Sequence, residues 1–193
     1  YNVVDIAEAH RRNIIVTNIP AYSTMSVAQM VMAHLLNITN QVALHSDAVK
    51  QGEWEQSPDF SFTKSPITEL DGLTMGIIGL GNIGSATARM AQAMGMKVMA
   101  ISSKTEEALL QIGVQKAKNY EQLFSEADVI SLHCPLTNDT HHIINQERLS
   151  LMKSTAIIIN TGRGPLLDEE AVAEALTTKK IYAVGIDVLT EEP

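Results

Sequence analysis

Three glycines stand at the spacing that a phosphate group requires of a backbone. Gly79, Gly81 and Gly84 form Gly-x-Gly-x-x-Gly within GIIGLGNIG. The pattern alone is common, but here an apolar run over 74–78 leads into it and a helical pattern over 82–94 leaves it. In that context each glycine has a physical reason. Gly79 makes a tight turn, Gly81 leaves the backbone bare for a pyrophosphate, and Gly84 lets helix and strand pack closely. Unpaired N–H groups near Asn82 and Ile83 then face the anion. The chemistry implied is dinucleotide binding; a glycine-rich turn with no ligand is the alternative.

Farther along, Ser102 lies 18 positions after Gly84, where an NAD-selective site carries Asp or Glu for the ribose 2′-hydroxyl. Ser102, Ser103 and Lys104 offer no carboxylate and one cation. Repulsion of a 2′-phosphate is absent, so the cofactor is NAD(H) or NADP(H), with a slight lean to NADP(H). Ordinary turn residues, with the ribose held by backbone, are the alternative. Arg163 sits between Gly162 and Gly164 after an apolar run. There its guanidinium fork suits a carboxylate or polarised carbonyl, as lysine does not; a helix cap or surface pair is equally open. Asp187 ends the apolar run AVGI, and a carboxylate at the tip of a buried strand requires donors such as a carboxamide. A structural cap for the next loop is the alternative. Glu192, by itself, reads as part of a solvated acidic end.

These residues need a scaffold, and the periodicity supplies one. A strand is expected over 13–18, stopped by Pro20, then a long amphipathic helix from Ser26 to Lys50 with Val27, Met30, Val31, Leu35, Ile38 and Val42 on one face. A polar loop, 51–65, holds the lone Trp54. Strands follow at 74–78, 97–101, 128–132, 155–160 and 181–188. Helices are expected at 82–94, 105–111, 120–125, 146–152 and 168–177. Apolar runs without alternation, separated by helices, describe a doubly wound α/β domain with a parallel sheet. The 193 residues suffice for one such core. A net charge of -8 argues against a nucleic-acid partner, and Cys134, the one cysteine, excludes an internal disulfide and fits the reducing cytoplasm. No apolar run reaches the ~20 residues of a membrane span. His141 and His142 read as a solvated polar turn and not as metal ligands, and no metal is expected.

The longer motifs carry a resemblance. YNVVDIAEAHRRNIIVTNIP leading into SVAQ, then QGEW, ELDGLTMGIIGLGNIG, HCPLTNDTHHIIN, NTGRGPLLDEEAV and GIDVLTEEP resemble, in order, the D-isomer-specific 2-hydroxyacid dehydrogenase family. YSTMSVAQ looks most like its glycerate dehydrogenase (hydroxypyruvate reductase) branch. The resemblance implies hydride transfer between nicotinamide C4 and C2 of a small 2-hydroxy or 2-keto acid. It makes Arg163 the residue that orients the substrate and Glu192, 29 positions on, the partner of a catalytic histidine. Asp187, Thr161 and Gly162 would lie at the nicotinamide and His133, Cys134 and Pro135 at the adenosine half, with Thr140 also a cofactor contact.

It also implies what the chain lacks. None of the six histidines matches the catalytic one, expected beyond Pro193, and most of the substrate domain is expected before Tyr1. Residues 1–20 would be the hinge from that domain, and 21–70 the helix and loop of a homodimer, with Trp54 near the interface. Gln29 stands where most relatives carry Glu. A dinucleotide-sensing corepressor of the same family is a second reading. A methyltransferase with a similar loop explains neither Arg163 nor Asp187.

Overall fold

The computed structural model describes residues 4–192, so the hand-over expected at Tyr1 and the end at Pro193 lie outside the described residues. Three helices come first: α1 (Ile6–Arg11), α2 (Thr24–Asn40) and α3 (Val42–Lys50). A regular alternation follows: β1 (Thr74–Ile78), α4 (Asn82–Ala93), β2 (Lys97–Ile101), α5 (Glu106–Leu110), β3 (Val114–Lys116), α6 (Tyr120–Glu126) and β4 (Val129–Leu132). The chain goes on through α7 (Gln146–Leu151), β5 (Ile157–Asn160), a 3-10 turn at Gly164–Leu166, α8 (Glu169–Thr177) and β6 (Ala183–Ile186). All strand pairs are parallel, in the order β3-β2-β1-β4-β5-β6. This is the doubly wound architecture expected from the sequence.

Alternating strand side chains feed two cores. Met75 and Ile77 of β1, Val98 and Ala100 of β2, and Ile157 and Ile159 of β5 face α2 and α4, meeting Val31, Leu35, Ala88 and Ala91. Ile78, Met99, Ile130, Leu132 and Ile158 face the other way, onto Leu123 and Phe124 of α6, Leu149 of α7 and Val172 of α8. Gly76 on β1 has no room for a side chain: a Cβ there would lie 2.9 Å from Ile130 and 3.0 Å from Ala127. At the amino ends of the strands Asp128 acts as a clamp. Its Oδ2 accepts the Thr74 N–H at 2.9 Å and its Oδ1 pairs with Lys153 Nζ at 2.7 Å.

Five expectations change. Residues 13–18 form no strand: Ile15 and Ile19 are exposed, and no neighbouring strand among the described residues pairs with the run, without which β-branched composition builds nothing. The long helix starts at Thr24, so Ser26 lies inside it, donating to the Ser23 carbonyl at 3.0 Å. That helix also breaks at Gln41, which takes a left-handed φ of 44° while its N–H bonds the Asn37 carbonyl at 3.0 Å. Just before the break Thr39 turns its hydroxyl back onto the Leu35 carbonyl at 3.0 Å, a bond that competes with the regular helix. β3 is the strand the periodicity missed, three residues with one buried apolar side chain, Val114. The last strand stops at Ile186 and lies at the sheet's edge, with Ile186 exposed. Among the described residues, no helix is long and apolar enough to cross a membrane.

Candidate dinucleotide site

In-register pairing levels the carboxyl ends of five strands. Ile101, Ile78, Leu132, Asn160 and Ile186 are successive neighbours across β2, β1, β4, β5 and β6. The next residue on each strand is Ser102, Gly79, His133, Thr161 and Asp187. Five residues singled out from the sequence therefore stand in one row, which at ~4.8 Å between strands spans roughly 19 Å. Its middle is the switch point of the sheet, because the chain leaves β1 toward β2 and β3 on one side and returns to β4 on the other. Ligands of open α/β sheets bind in the crevice outside that point.

The glycine loop is built against β4. Gly79 has φ +94°, and a Cβ on it would stand 2.7 Å from the His133 carbonyl and the Cys134 nitrogen. A Cβ on Gly84 would collide with the Gly79 carbonyl oxygen. Gly81 is different in kind: its φ of -78° suits any residue, and nothing lies within 4 Å of where its Cβ would be. The space beside it is open. The helix that starts there is also uncapped. Thr105, Asn119, Asn145 and Asp168 cap α5, α6, α7 and α8 with side-chain oxygens, whereas α4 begins at Gly81 with no such bond. Its first intrahelical donor is Ser85, to the Gly81 carbonyl at 3.0 Å, so the N–H groups of Asn82 and Ile83 have no partner within the helix. An open cradle beside an uncapped helix start fits a diphosphate.

At one end of the row, Ser102 Oγ accepts the Lys104 N–H at 3.2 Å, and Lys116 Nζ donates to the Lys104 carbonyl at 2.8 Å. Ser103 and Lys104 are exposed beside it. Next to the glycine loop, His133 Nε2 shares a hydrogen bond of 2.9 Å with Ser131 Oγ. Burial pushes the His133 pKa down to about 4, so the imidazole is neutral at pH 7. Burial also raises the pKa of the half-buried Cys134 thiol, against a smaller opposing effect of its own backbone N–H. Thr140 shapes the following loop: its Oγ1 donates to the Pro135 carbonyl at 2.6 Å and accepts the Thr137 N–H at 2.8 Å. In the expected solvated turn only His141 is exposed. His142 is half-buried at φ 50°, donates its N–H to the Pro165 carbonyl at 2.9 Å, and stacks on His141 at 3.9 Å.

The β5 end depends on a residue that motif reading passed over. Asn160 is fully buried; its Oδ1 accepts the Gly162 N–H at 3.0 Å and its Nδ2 donates to the Arg163 carbonyl at 2.8 Å. This Asx-type turn holds Thr161, Gly162 and Arg163 in place, and an Asn closing an apolar strand is the signal that marks it. Thr161 Oγ1 is buried with no hydrogen-bond partner, an orphan hydroxyl in the row. The exposed Arg163 donates Nη1–H to the Gly162 carbonyl at 2.7 Å. Gly164 packs directly on the backbone of Leu189 and Thr190, so the Arg163 turn and the segment carrying Glu192 adjoin. Glu192 Oε1 accepts the Leu189 N–H at 3.1 Å and borders an open depression of about 590 Å3 that Asp187 also lines. Asp187 is not at the tip of a buried strand as expected: it is exposed at the sheet edge, and only its backbone is engaged, donating to the Asn160 carbonyl at 3.0 Å. The desolvation argument for it therefore lapses, while its place in the row stands.

Residues 32–193 match the model of the D-isomer specific 2-hydroxyacid dehydrogenase, NAD binding domain. The chain belongs to this family. It is 45% identical over 193 residues to a hydroxypyruvate reductase of Blautia hydrogenotrophica, covering 100% of this chain and 60% of that protein. A glycerate dehydrogenase of Methylorubrum extorquens is 37% identical over 192 residues, covering 100% of this chain and 59% of its own length. A D-lactate dehydrogenase from Aquifex aeolicus, solved in complex with NAD and lactic acid, superposes with a TM-score of 0.86 at 38% identity, over 99% of this chain and 56% of that one. The chain thus spans about 60% of the length of the curated relatives it matches. As this family's NAD-binding domain, the chain is matched to a nicotinamide cofactor.

The depressed His133 pKa has a consequence for stability. An unfolded histidine takes its proton near pH 6.5 and the folded one near 4, so stability from this group is present above 6.5 and is lost as pH falls toward 4. NMR titration of the His133 ring is expected to show a midpoint near 4; a midpoint at the ordinary value contradicts the burial described here.

Proposed function

We propose that the protein carrying this domain is an NAD(P)-dependent oxidoreductase acting on a small D-2-hydroxy or 2-keto acid, with glycerate and hydroxypyruvate as the pair. The observation that carries the reading is the row from Ser102 to Asp187, with the open, uncapped α4 start at its middle. The names of the relatives point to the same substrates. Bound there, the nicotinamide supplies or accepts the hydride. The N–H groups of Asn82 and Ile83 hold the diphosphate. His133, Cys134, Pro135 and the loop braced by Thr140 flank the adenosine. Thr161, through its unpartnered hydroxyl, with Gly162 and Asp187, meets the nicotinamide and its carboxamide. Ser102, Ser103 and Lys104 meet the ribose; the missing carboxylate and the added cation favour NADP(H) over NAD(H).

In this reading Arg163 orients the substrate's carboxylate and carbonyl through its fork. Glu192 pairs with an imidazole supplied from outside residues 1–193, raising its pKa so that it protonates the nascent alkoxide. Residues 1–20 form the hinge from the substrate domain. The protein works in the cytoplasm as a homodimer through residues 21–70. Support comes from the exposed Met30, Val42 and Leu44 on α2 and α3 and from Trp54 and Phe60 in the loop, although Val31 and Leu35 of the same helix face are spent on the chain's own sheet. Light scattering at micromolar concentration is expected to give the mass of two copies; a monomer contradicts the dimer.

Gly81 separates ligand from fold. A Cβ at Gly81 meets no protein atom, so Gly81→Val is expected to change stability by no more than ~1 kcal/mol, the scale of an N-cap substitution. Fluorescence titration of NADH and NADPH is expected to show saturable binding to the unaltered chain and none to this variant; equal binding by both refutes the proposed diphosphate cradle. In the whole protein, Arg163→Gln is expected to lower kcat/KM for hydroxypyruvate by roughly 100-fold or more, as loss of a bidentate clamp on charge does. An unchanged value removes Arg163 from the substrate site.

A further inference from the structure

Away from the crevice, the loop over 51–65 is fastened to α3 through one ring. His45, half-buried on α3, uses both of its imidazole nitrogens. Nδ1 lies 2.9 Å from the Gln41 carbonyl, at the break between α2 and α3. Nε2 lies 3.1 Å from the backbone nitrogen of Lys64, 19 residues on. A carbonyl only accepts and a backbone N–H only donates, so the two partners fix the tautomer. Nδ1 carries the proton, and Nε2 is the bare acceptor of the Lys64 N–H. Phe62 tilts against the same ring, with centroids 6.4 Å apart.

Little else holds the loop. Among the described residues, no other hydrogen bond joins residues 54–65 to a helix. The loop's remaining bonds are internal: Trp54 Nε1 donates to the Phe60 carbonyl at 3.3 Å, and the Lys64 ammonium pairs with Glu53. Trp54 is 53% and Phe60 89% exposed, so apolar burial anchors neither. A segment with so few buried contacts opens locally without the rest of the fold.

We infer that His45 is a pH-operated latch that holds this loop, and with it Trp54 and Phe60, on α3. A proton on Nε2 sets one N–H against another, so the bond to Lys64 is lost and the loop leaves the helix, while the Nδ1 bond to Gln41 stays. The open loop binds one proton more than the closed one, and falling pH therefore shifts the balance toward the open form. Imidazole is the side chain suited to such a change between about pH 8 and 5. The neighbouring charges do not compensate it. Asp47 and Lys50 of α3 pair with each other, as Glu53 and Lys64 do in the loop, and among the described residues no carboxylate forms an ion pair with the ring. Residues 37–40 at the end of α2 are uncharged. Tyr182, ahead of β6, shares a cavity with Ala43 and Leu44 of α3 and brings only a phenol. The latch is independent of the dinucleotide site; it sets how the loop proposed above for pairing of copies presents its aromatic residues.

Trp54 is the one tryptophan of the chain, so intrinsic fluorescence reads the loop directly. From about pH 8 to 5 its emission is expected to change in a single step, with far-UV circular dichroism constant and a midpoint equal to that of the His45 ring followed by NMR. The protection factor of the Lys64 amide against hydrogen exchange is expected to fall roughly tenfold across that step, the worth of one such bond. His45→Gln keeps an acceptor that takes no proton, and is expected to show flat emission and constant Lys64 protection over the same range. Flat emission in the unaltered chain overturns the inference. The same step in His45→Gln also overturns it, as does a step that coincides with loss of the circular dichroism signal. Should the variant fail to fold, the unaltered chain still decides: Lys64 protection that stays constant while the His45 ring titrates overturns the latch.

Discussion

Backbone meets backbone where β1 ends. Gly79 lies against the carbonyl of His133 and the nitrogen of Cys134 at a distance no Cβ tolerates, and Gly84 presses on the Gly79 carbonyl from the helix that follows. Two side chains that do not exist set the approach of α4 to the sheet and of β1 to β4. The small residues along α4 serve the same end: Ala86, Thr87, Ala88 and Ala91 are buried and let the helix lie close over the strands. With this junction in place, α4 opens at the switch point of the sheet and its unpaired N–H groups face the crevice. A bulkier residue at either glycine would push the helix outward and misalign those donors. Packing at Gly79 and Gly84 and openness at Gly81 are thus two halves of one device.

The other end of the crevice reaches a similar result by different means. At β5 a side chain, Asn160, does the turning: its amide holds the Gly162 N–H and the Arg163 carbonyl, so the arginine leaves a fixed loop. Gly164 then brings the segment after β6 into contact with that loop, which draws Arg163, Asp187 and Glu192 to one end of the sheet. The unpartnered Thr161 hydroxyl between these two constructions fits the same account, since buried polar groups seldom go without a partner. The helix caps divide along the same line. Four helices that follow strands close their own first turn with a side-chain oxygen, and α4, at the crevice, has no such cap.

Much of this is legible in the amino-acid sequence. The β1–α4 unit, the order of strands and helices from 74 onward apart from β3, and the places of Gly79, Ser102 and Asp187 follow from long apolar runs punctuated by glycine, where local pattern and tertiary position agree, whereas His133 and Thr161 enter through the family resemblance. The parts that escaped depend on neighbours. Residues 13–18 have the composition of a strand and no partner to pair with. The break at Gln41 is a non-glycine residue in a left-handed conformation, which propensity does not announce. β3 is too short for any period. Asp187 sits at the end of an apolar run that becomes an edge strand, so its exposure depends on which strands flank it and not on its own segment.

The carboxyl ends of the strands, and not their amino ends, are expected to receive the dinucleotide. Backbone amide NMR of the chain, recorded as NADH is added, reads this directly. The account predicts shifts at Asn82 and Ile83 and along Ser102, His133, Thr161 and Asp187. It also predicts silence at Leu73, Thr74 and Asp128 at the opposite ends of the strands. Shifts concentrated at those amino ends, or none in the row at saturating NADH, would contradict it.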